Sequence, residues 1–188
     1  MEPTAAEKTE MQTETAIVAG GCFWCMEPVF DKMPGVLSVT PGYTGGTTPN
    51  PSYQEVCQGE TGHVEAVRIV FDPGQVSYRD ILRVFWRNID PTTRNRQFCD
   101  YGSQYQTAIF YLDENQKRMA EETSREAAQT SRVKLGVVTD IRPAQEFYPA
   151  EEYHQQYYKK NPYQYRQYHE GCGRNWRLKQ LWGERDQG

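Results

Sequence analysis

The chain sets a thiol, Cys22, between two glycines and two large aromatics, in the stretch Gly20-Gly21-Cys22-Phe23-Trp24-Cys25-Met26-Glu27. An apolar run, Thr15-Ala16-Ile17-Val18-Ala19, leads in, and the order reads as strand, tight turn, nucleophile, helix start. A cysteine there meets backbone N–H groups without intrahelical partners and the positive end of a helix dipole. Both favour thiolate over thiol, so Cys22 is a candidate reactive cysteine. The rival reading is a small apolar residue packing the helix start. Glu65 is the second candidate. Val67, Ile69 and Phe71 share one face of a strand expected over residues 63–71, and Glu65 lies on that face by the period of two. Burial there raises a carboxyl pKa and keeps it a proton donor near neutrality. A wet strand end is the alternative.

The Cys22-x-x-Cys25 spacing admits three readings. A zinc site needs four ligands, yet Cys57, Cys99 and Cys172 are scattered, and His63, His154 and His169 form no spaced pair with them. A thioredoxin-like CxxC dithiol oxidoreductase fits the strand-turn-helix order but gives Glu65 and the loop tyrosines no task. In the third reading Cys22 attacks alone and another cysteine resolves the oxidised product. The 13 tyrosines suit a pocket with apolar walls and hydroxyl donors, hence a polar substrate carrying an apolar group. A solvated aromatic surface is the plain alternative.

Periodicity and turn residues give the elements that must position these groups. Helices are expected over residues 24–33, ended by Pro34-Gly35; over 52–56, capped by Ser52; over 77–89, capped by Ser77; over 113–130; and over 151–159. In the third, Ile81, Leu82, Phe85 and Ile89 form the buried stripe. Strands are expected over 15–19, 36–40, 63–71, 104–112 and 137–141, with a loop over 92–103 that carries Cys99 and Asp100. The pattern suits one sheet covered by helices, α/β or α+β. Residues 15–188 are expected to form one catalytic domain behind a flexible polar leader, residues 1–14. No apolar run approaches membrane-spanning length, and a net charge of −4 gives no electrostatic case for nucleic acid. The five cysteines are an odd number, so at least one thiol is free. The leader has no signal-like apolar core, so a cytoplasmic location is expected, with export after removal of a signal as the alternative.

Five blocks occur here in one order: Gly21-Cys22-Phe23-Trp24, Gly42-Tyr43-Thr44-Gly45-Gly46, Thr61-Gly62-His63-Val64-Glu65-Ala66-Val67, Asp100-Tyr101-Gly102-Ser103-Gln104-Tyr105 and His154-Gln155-Gln156-Tyr157. Together they resemble the peptide methionine sulfoxide reductases of type A, across residues 16–182. The resemblance implies an α+β fold: a mixed β-sheet packed by helices as a ferredoxin-like two-layer plait, with a long irregular C-terminal segment. It implies reduction of the S epimer of methionine sulfoxide, free or in proteins, with no metal or organic cofactor. Cys22 then matches the catalytic thiol, and Phe23 and Trp24 match the walls around the substrate's S-methyl group. Tyr43, Glu65 and Tyr105 match the groups around the sulfoxide oxygen, and Asp100 matches a polar residue that helps orient them. The chemistry agrees with the residues. A sulfoxide oxygen does not leave as oxide, so it must be protonated while a thiolate attacks. Cys22 would end as a sulfenic acid, a second thiol would condense with it, and thioredoxin or a similar dithiol would restore the enzyme. The expected partners are methionine sulfoxide in peptides and proteins and that dithiol. The chain is expected to act as a monomer, with no nucleic acid or membrane.

Three departures from the family pattern concern the resolving thiol. Cys25 stands where many members have glycine, Cys99 immediately precedes Asp100, and the tail has one cysteine, Cys172, in Gly171-Cys172-Gly173-Arg174. Cys172 is the first choice, because flanking glycines make a mobile segment, and a Cys22–Cys172 disulfide is expected. Cys25 is second and Cys99 third, while Cys57 is read as structural; a one-cysteine cycle stays open. A nucleic-acid module built on the Tyr, Lys and Arg residues of 153–176 is the reading from another class, and Glu151, Glu152 and Glu170 dilute that patch.

Overall fold

Alternation in β1 (Glu14–Ala19) sends Ala16 and Val18 to one face of a sheet and Ile17 and Ala19 to the other, and all four are buried. A strand covered on both sides is a central strand, and the computed structural model bears this out. It describes residues 12–132 and 134–184, so the first eleven residues of the expected leader lie outside it. β1 pairs antiparallel with β3 (Val64–Phe71) on one side and β6 (Ala108–Tyr111) on the other. β2 (Val36–Thr44) runs antiparallel to β3, β8 (Phe147–Pro149) antiparallel to β2, and β7 (Asp140–Pro143) parallel to β6. The six-stranded mixed sheet has the order β7-β6-β1-β3-β2-β8.

The larger core lies between one face of this sheet and the helices α1 (Phe23–Asp31), α3 (Tyr78–Arg87) and α4 (Glu114–Thr130). It joins Val67, Ile69 and Phe71 of β3 to Phe23, Met26 and Phe30 and to Ile81, Leu82 and Phe85. Each such large apolar side chain contributes roughly 2–3 kcal/mol on burial. A smaller cluster, including Ala66, Phe110 and Phe147, covers the opposite face. The fold is α+β. The helix starts are chemically defined. In α3 the Ser77 hydroxyl accepts from Asp80 N at 3.1 Å while the Asp80 carboxylate accepts from Ser77 N at 3.1 Å. Ser52 and Glu55 form the same reciprocal cap on α2 (Tyr53–Gln58).

Several elements differ from the sequence reading. β2 does not stop at Pro41 but continues to Thr44. Gly42 lets β8 close in, since a Cβ there would lie 2.4 Å from the Phe147 ring. Residues Ser103–Tyr105 form a tight helical turn rather than strand, and β7 begins at Asp140 rather than at 137. The loop over 92–103 holds a small hairpin, β4 (Arg96–Gln97) and β5 (Asp100–Tyr101). The helix expected over 151–159 is interrupted at Gln156, whose φ is +52°; its N–H donates to both Glu27 carboxylate oxygens, at 2.9 and 3.0 Å. The C-terminal segment is helical rather than irregular: α5 (Tyr157–Lys160), α6 (Pro162–Gly171) and α7 (Arg174–Trp182). Pro162 opens α6, where its missing N–H costs nothing, and Leu178 and Leu181 bury one side of α7.

Candidate active site

The turn before α1 depends on Gly21, at φ +86°, where a Cβ would also strike Gln97 at 2.6 Å. It delivers Cys22 to the N-cap of α1, where the Cys22 carbonyl accepts from Cys25 N at 3.1 Å. The open amide of this helix tip does not serve the thiol. Phe23 N donates to Glu65 Oε2 at 3.0 Å. Cys22 is only 7% exposed, and burial raises its pKa well above the ordinary thiol value. The neighbouring Cys25 side chain acts in the same direction, and Glu65 and Asp100 add to it where they are ionised. Burial thus outweighs the helix dipole and holds Cys22 toward the neutral thiol in the resting protein, while the first amide of the helix is engaged by Glu65.

Glu65 is 2% exposed and lies directly across the β2–β3 pairing from Tyr43. Burial raises its pKa from 4.5 to about 8, against the Phe23 hydrogen bond and with help from Asp100 and Cys25. At pH 7 it is an acid. Tyr43 is fully buried, and its hydroxyl donates to Glu151 Oε1 at 2.9 Å. Tyr105 is half-buried; its phenol is held above the usual range by burial and then by Glu65, Asp100, Tyr53 and Cys22. Its hydroxyl makes no hydrogen bond among the described residues. Asp100 accepts from the Tyr168 hydroxyl, and burial raises its pKa. The structure thus brings Cys22, Glu65, Tyr105 and Asp100 together, with Tyr43 beside Glu65.

The two aromatics differ. Phe23 is 1% exposed and packs into the core against Tyr43 and His154. Trp24 is half-buried; it stacks on Tyr157 at 3.8 Å, meets Tyr168 edge-on, and donates from Nε1 to His154 Nδ1 at 3.0 Å. Tyr53, His154, Glu151, Tyr168 and Arg174 had no part in the reductase site expected from the sequence, yet all of them line or support this cluster. His154 stood in a quoted block, which was the available signal.

Cys172, expected to close on Cys22 during turnover, is bonded to Cys99 in this structure, with Cα atoms 5.0 Å apart. The bond ties the end of α6 to the β4–β5 hairpin. Cys22, Cys25 and Cys57 are free thiols, and Cys57 sits on the exposed side of α2. The sulfurs of Cys99 and Cys172 and the Asp100 carboxylate lie within 4.8 Å of one another, but a disulfide leaves neither sulfur as a thiolate ligand. Among the described residues no helix is long and apolar enough to cross a membrane.

Comparison with known proteins decides between the enzymatic readings. The family profile for peptide methionine sulfoxide reductase matches residues 14–186. The chain is 50% identical over 180 residues to peptide methionine sulfoxide reductase MsrA of Bacillus licheniformis, covering 96% of this chain and 97% of that protein. Among solved structures, methionine sulfoxide reductase A of Corynebacterium diphtheriae superposes with a TM-score of 0.72 at 37% identity, over 82% of this chain and 77% of that one. Reduced Mxr1 from Saccharomyces cerevisiae superposes with a TM-score of 0.76 at 30% identity, over 83% and 92%. A thiol and an acid meeting at one helix tip are thus what a sulfoxide needs, and the chain belongs to the type A peptide methionine sulfoxide reductases, which return the S-sulfoxide of methionine to methionine.

Proposed function

We propose that Cys22 is the attacking thiol and Glu65 the acid of this reduction. The single observation behind this is the Phe23 amide, which ties the Glu65 carboxyl to the residue next to Cys22 at 3.0 Å. As Cys22 Sγ bonds to the sulfoxide sulfur, Glu65 gives its proton to the oxygen and takes up the proton that the Cys22 thiol releases. The hydroxyl group then moves from the substrate sulfur to Cys22 Sγ as the bond between the two sulfurs breaks, leaving Cys22 as a sulfenic acid, oxidised by two electrons, and methionine with its sulfur reduced by two. Tyr105 and Tyr43 donate hydrogen bonds to the developing charge; Tyr105 is uncommitted, while Tyr43 exchanges Glu151 for the substrate oxygen. Asp100 orients the site through Tyr168. Phe23 and Trp24 bound the S-methyl group, on the side of Trp24 away from Tyr157.

The antiparallel order β6-β1-β3-β2 supports reading the central strands as a ferredoxin-like plait. Contacts from Ala16 to Trp182 within one core support a single catalytic domain over residues 15–188. Yeast Mxr1 has been solved in complex with Trx2, and we extend that class of partner, a thioredoxin dithiol, to this monomeric chain. The test is one turnover without reductant. One equivalent of methionine should form from the S epimer alone, with dimedone present from the start intercepting part of the transient sulfenic acid on Cys22. Dimedone on another cysteine, or a full burst from Cys22→Ser, refutes the assignment.

A further inference from the structure

Cys22 and Cys25 lie one helical turn apart, both buried, and close enough that each thiol shifts the titration of the other. Residues three apart on a helix have Cβ atoms about 5–6 Å apart, against the roughly 3.5–4.5 Å that a disulfide spans, so a bond needs the first turn of α1 to close by about 1–2 Å, and Cys22, at the N-cap rather than inside the helix, is the end that can move. Cys172 is not placed to compete, because its sulfur is held by Cys99. Arg174 stands beside Cys25. It is 3% exposed, and its Nη1 donates to Asn88 O at 2.8 Å, with Nη2 3.4 Å from Gly20 O. Its Nε is buried and has no partner among the described groups, so one donor is uncommitted. Cys25, Tyr165, His169 and Arg174 also line a cleft of ≈ 490 Å³ between α1 and the C-terminal helices.

We infer that Cys25 is the resolving thiol of this reductase, and that Arg174 is the positioning residue that prepares it. The inference rests on Cys22 being the attacking thiol. Cys25 Sγ attacks the sulfenic sulfur of Cys22; the S–S bond forms as the S–O bond breaks. The oxygen leaves as hydroxide and takes up the proton that Cys25 released, giving water. The Cys25 sulfur is oxidised, the Cys22 sulfur is reduced, and a thioredoxin-class dithiol later returns two electrons and two protons. The electrostatics agree. The Cys22 hydrogen bond lowers the Cys25 pKa, burial opposes it, and the charge and hydrogen bonding of Arg174 lower it again. A thiolate is the form that attacks.

The test starts from the unsubstituted protein, given one equivalent of methionine sulfoxide peptide, alkylated and mapped by mass spectrometry. A new Cys22–Cys25 link supports the inference. A Cys22–Cys172 or Cys22–Cys99 link overturns it, as does a Cys22 that stays reactive to dimedone after methionine has formed. No methionine at all defeats the underlying assignment of Cys22 instead. In Cys25→Ser the one-equivalent burst should survive while thioredoxin-supported turnover is lost; turnover at the parental rate refutes the role. Turnover should persist in Cys99→Ser/Cys172→Ser, and its abolition also refutes it. For Arg174, the readout is the pH profile of sulfenic acid decay after the burst. Arg174→Met should slow that decay roughly tenfold at pH 7 and move its half-maximum to higher pH, with Arg174→Lys recovering part of the loss. An unmoved profile removes Arg174 from the assignment.

Discussion

Glu65→Gln separates the acid from the shape of the side chain. Gln keeps an oxygen for the Phe23 amide, so the 3.0 Å contact at the tip of α1 can survive. It cannot give up a proton to a sulfoxide oxygen. General acid catalysis contributes about 10²–10⁴-fold, so the methionine burst should slow by that factor. The substitution also carries a stability signature. Burial raises the pKa of Glu65 from 4.5 to about 8. A group with a raised folded-state pKa lends stability that is complete below its unfolded value and lost as pH rises through the folded one. From pH 4.5 to 8 the unsubstituted protein should therefore lose stability relative to Glu65→Gln, and the gap should then level off. At about 1.4 kcal/mol per pKa unit, the ceiling is roughly 5 kcal/mol. Urea unfolding of both proteins between pH 5 and 9 measures this. Burst rates on the same samples should show the parental advantage shrinking about tenfold per pH unit above 8. A stability difference flat across that range, or a rate ratio that does not change, would falsify the buried-acid reasoning.

Tyr105→Phe should cut the burst rate by about 10²-fold and leave the urea midpoint unchanged, because its hydroxyl has no partner among the described residues. Tyr43→Phe should also lower stability by about 1 kcal/mol, since it removes the donor to Glu151; equal midpoints for the two variants contradict that distinction. Ser77→Ala should cost about 1 kcal/mol in unfolding experiments by opening the α3 cap, with no change in burst rate. Opening the Cys99–Cys172 bond by Cys99→Ser releases a 73-residue separation, with a chain-entropy ceiling of roughly 4 kcal/mol; a melting curve identical to the oxidised parent's counts against that bond as a stabiliser.

The parts of the fold that bury an alternating or helical stripe were legible in the sequence. The common face of Glu65, Val67, Ile69 and Phe71 and the Ser77 cap both follow from local spacing, and both stand in the structure. α6 was not legible because none of its residues is buried, so its sequence carries no apolar period. The break at Gln156 depends on Glu27, 129 positions away, which accepts its N–H. The surroundings of Cys22 were hidden for a similar reason: the helix tip was visible in the sequence, but the burial of the thiol and the engagement of the Phe23 amide by Glu65, 42 positions on, were not. The Cys99–Cys172 pairing likewise joins segments 73 positions apart, and composition holds no record of it.

Tyr168, tied to Asp100, stands near Cys22, a residue only 7% exposed, and Tyr157 covers one face of the neighbouring Trp24. A rigid neighbouring surface meets those rings before it meets the sulfur, so a damaged side chain on a frayed terminus or loosened loop is expected to be repaired faster than one held in a packed core, a difference that rates on native and unfolded forms of one oxidised substrate would measure.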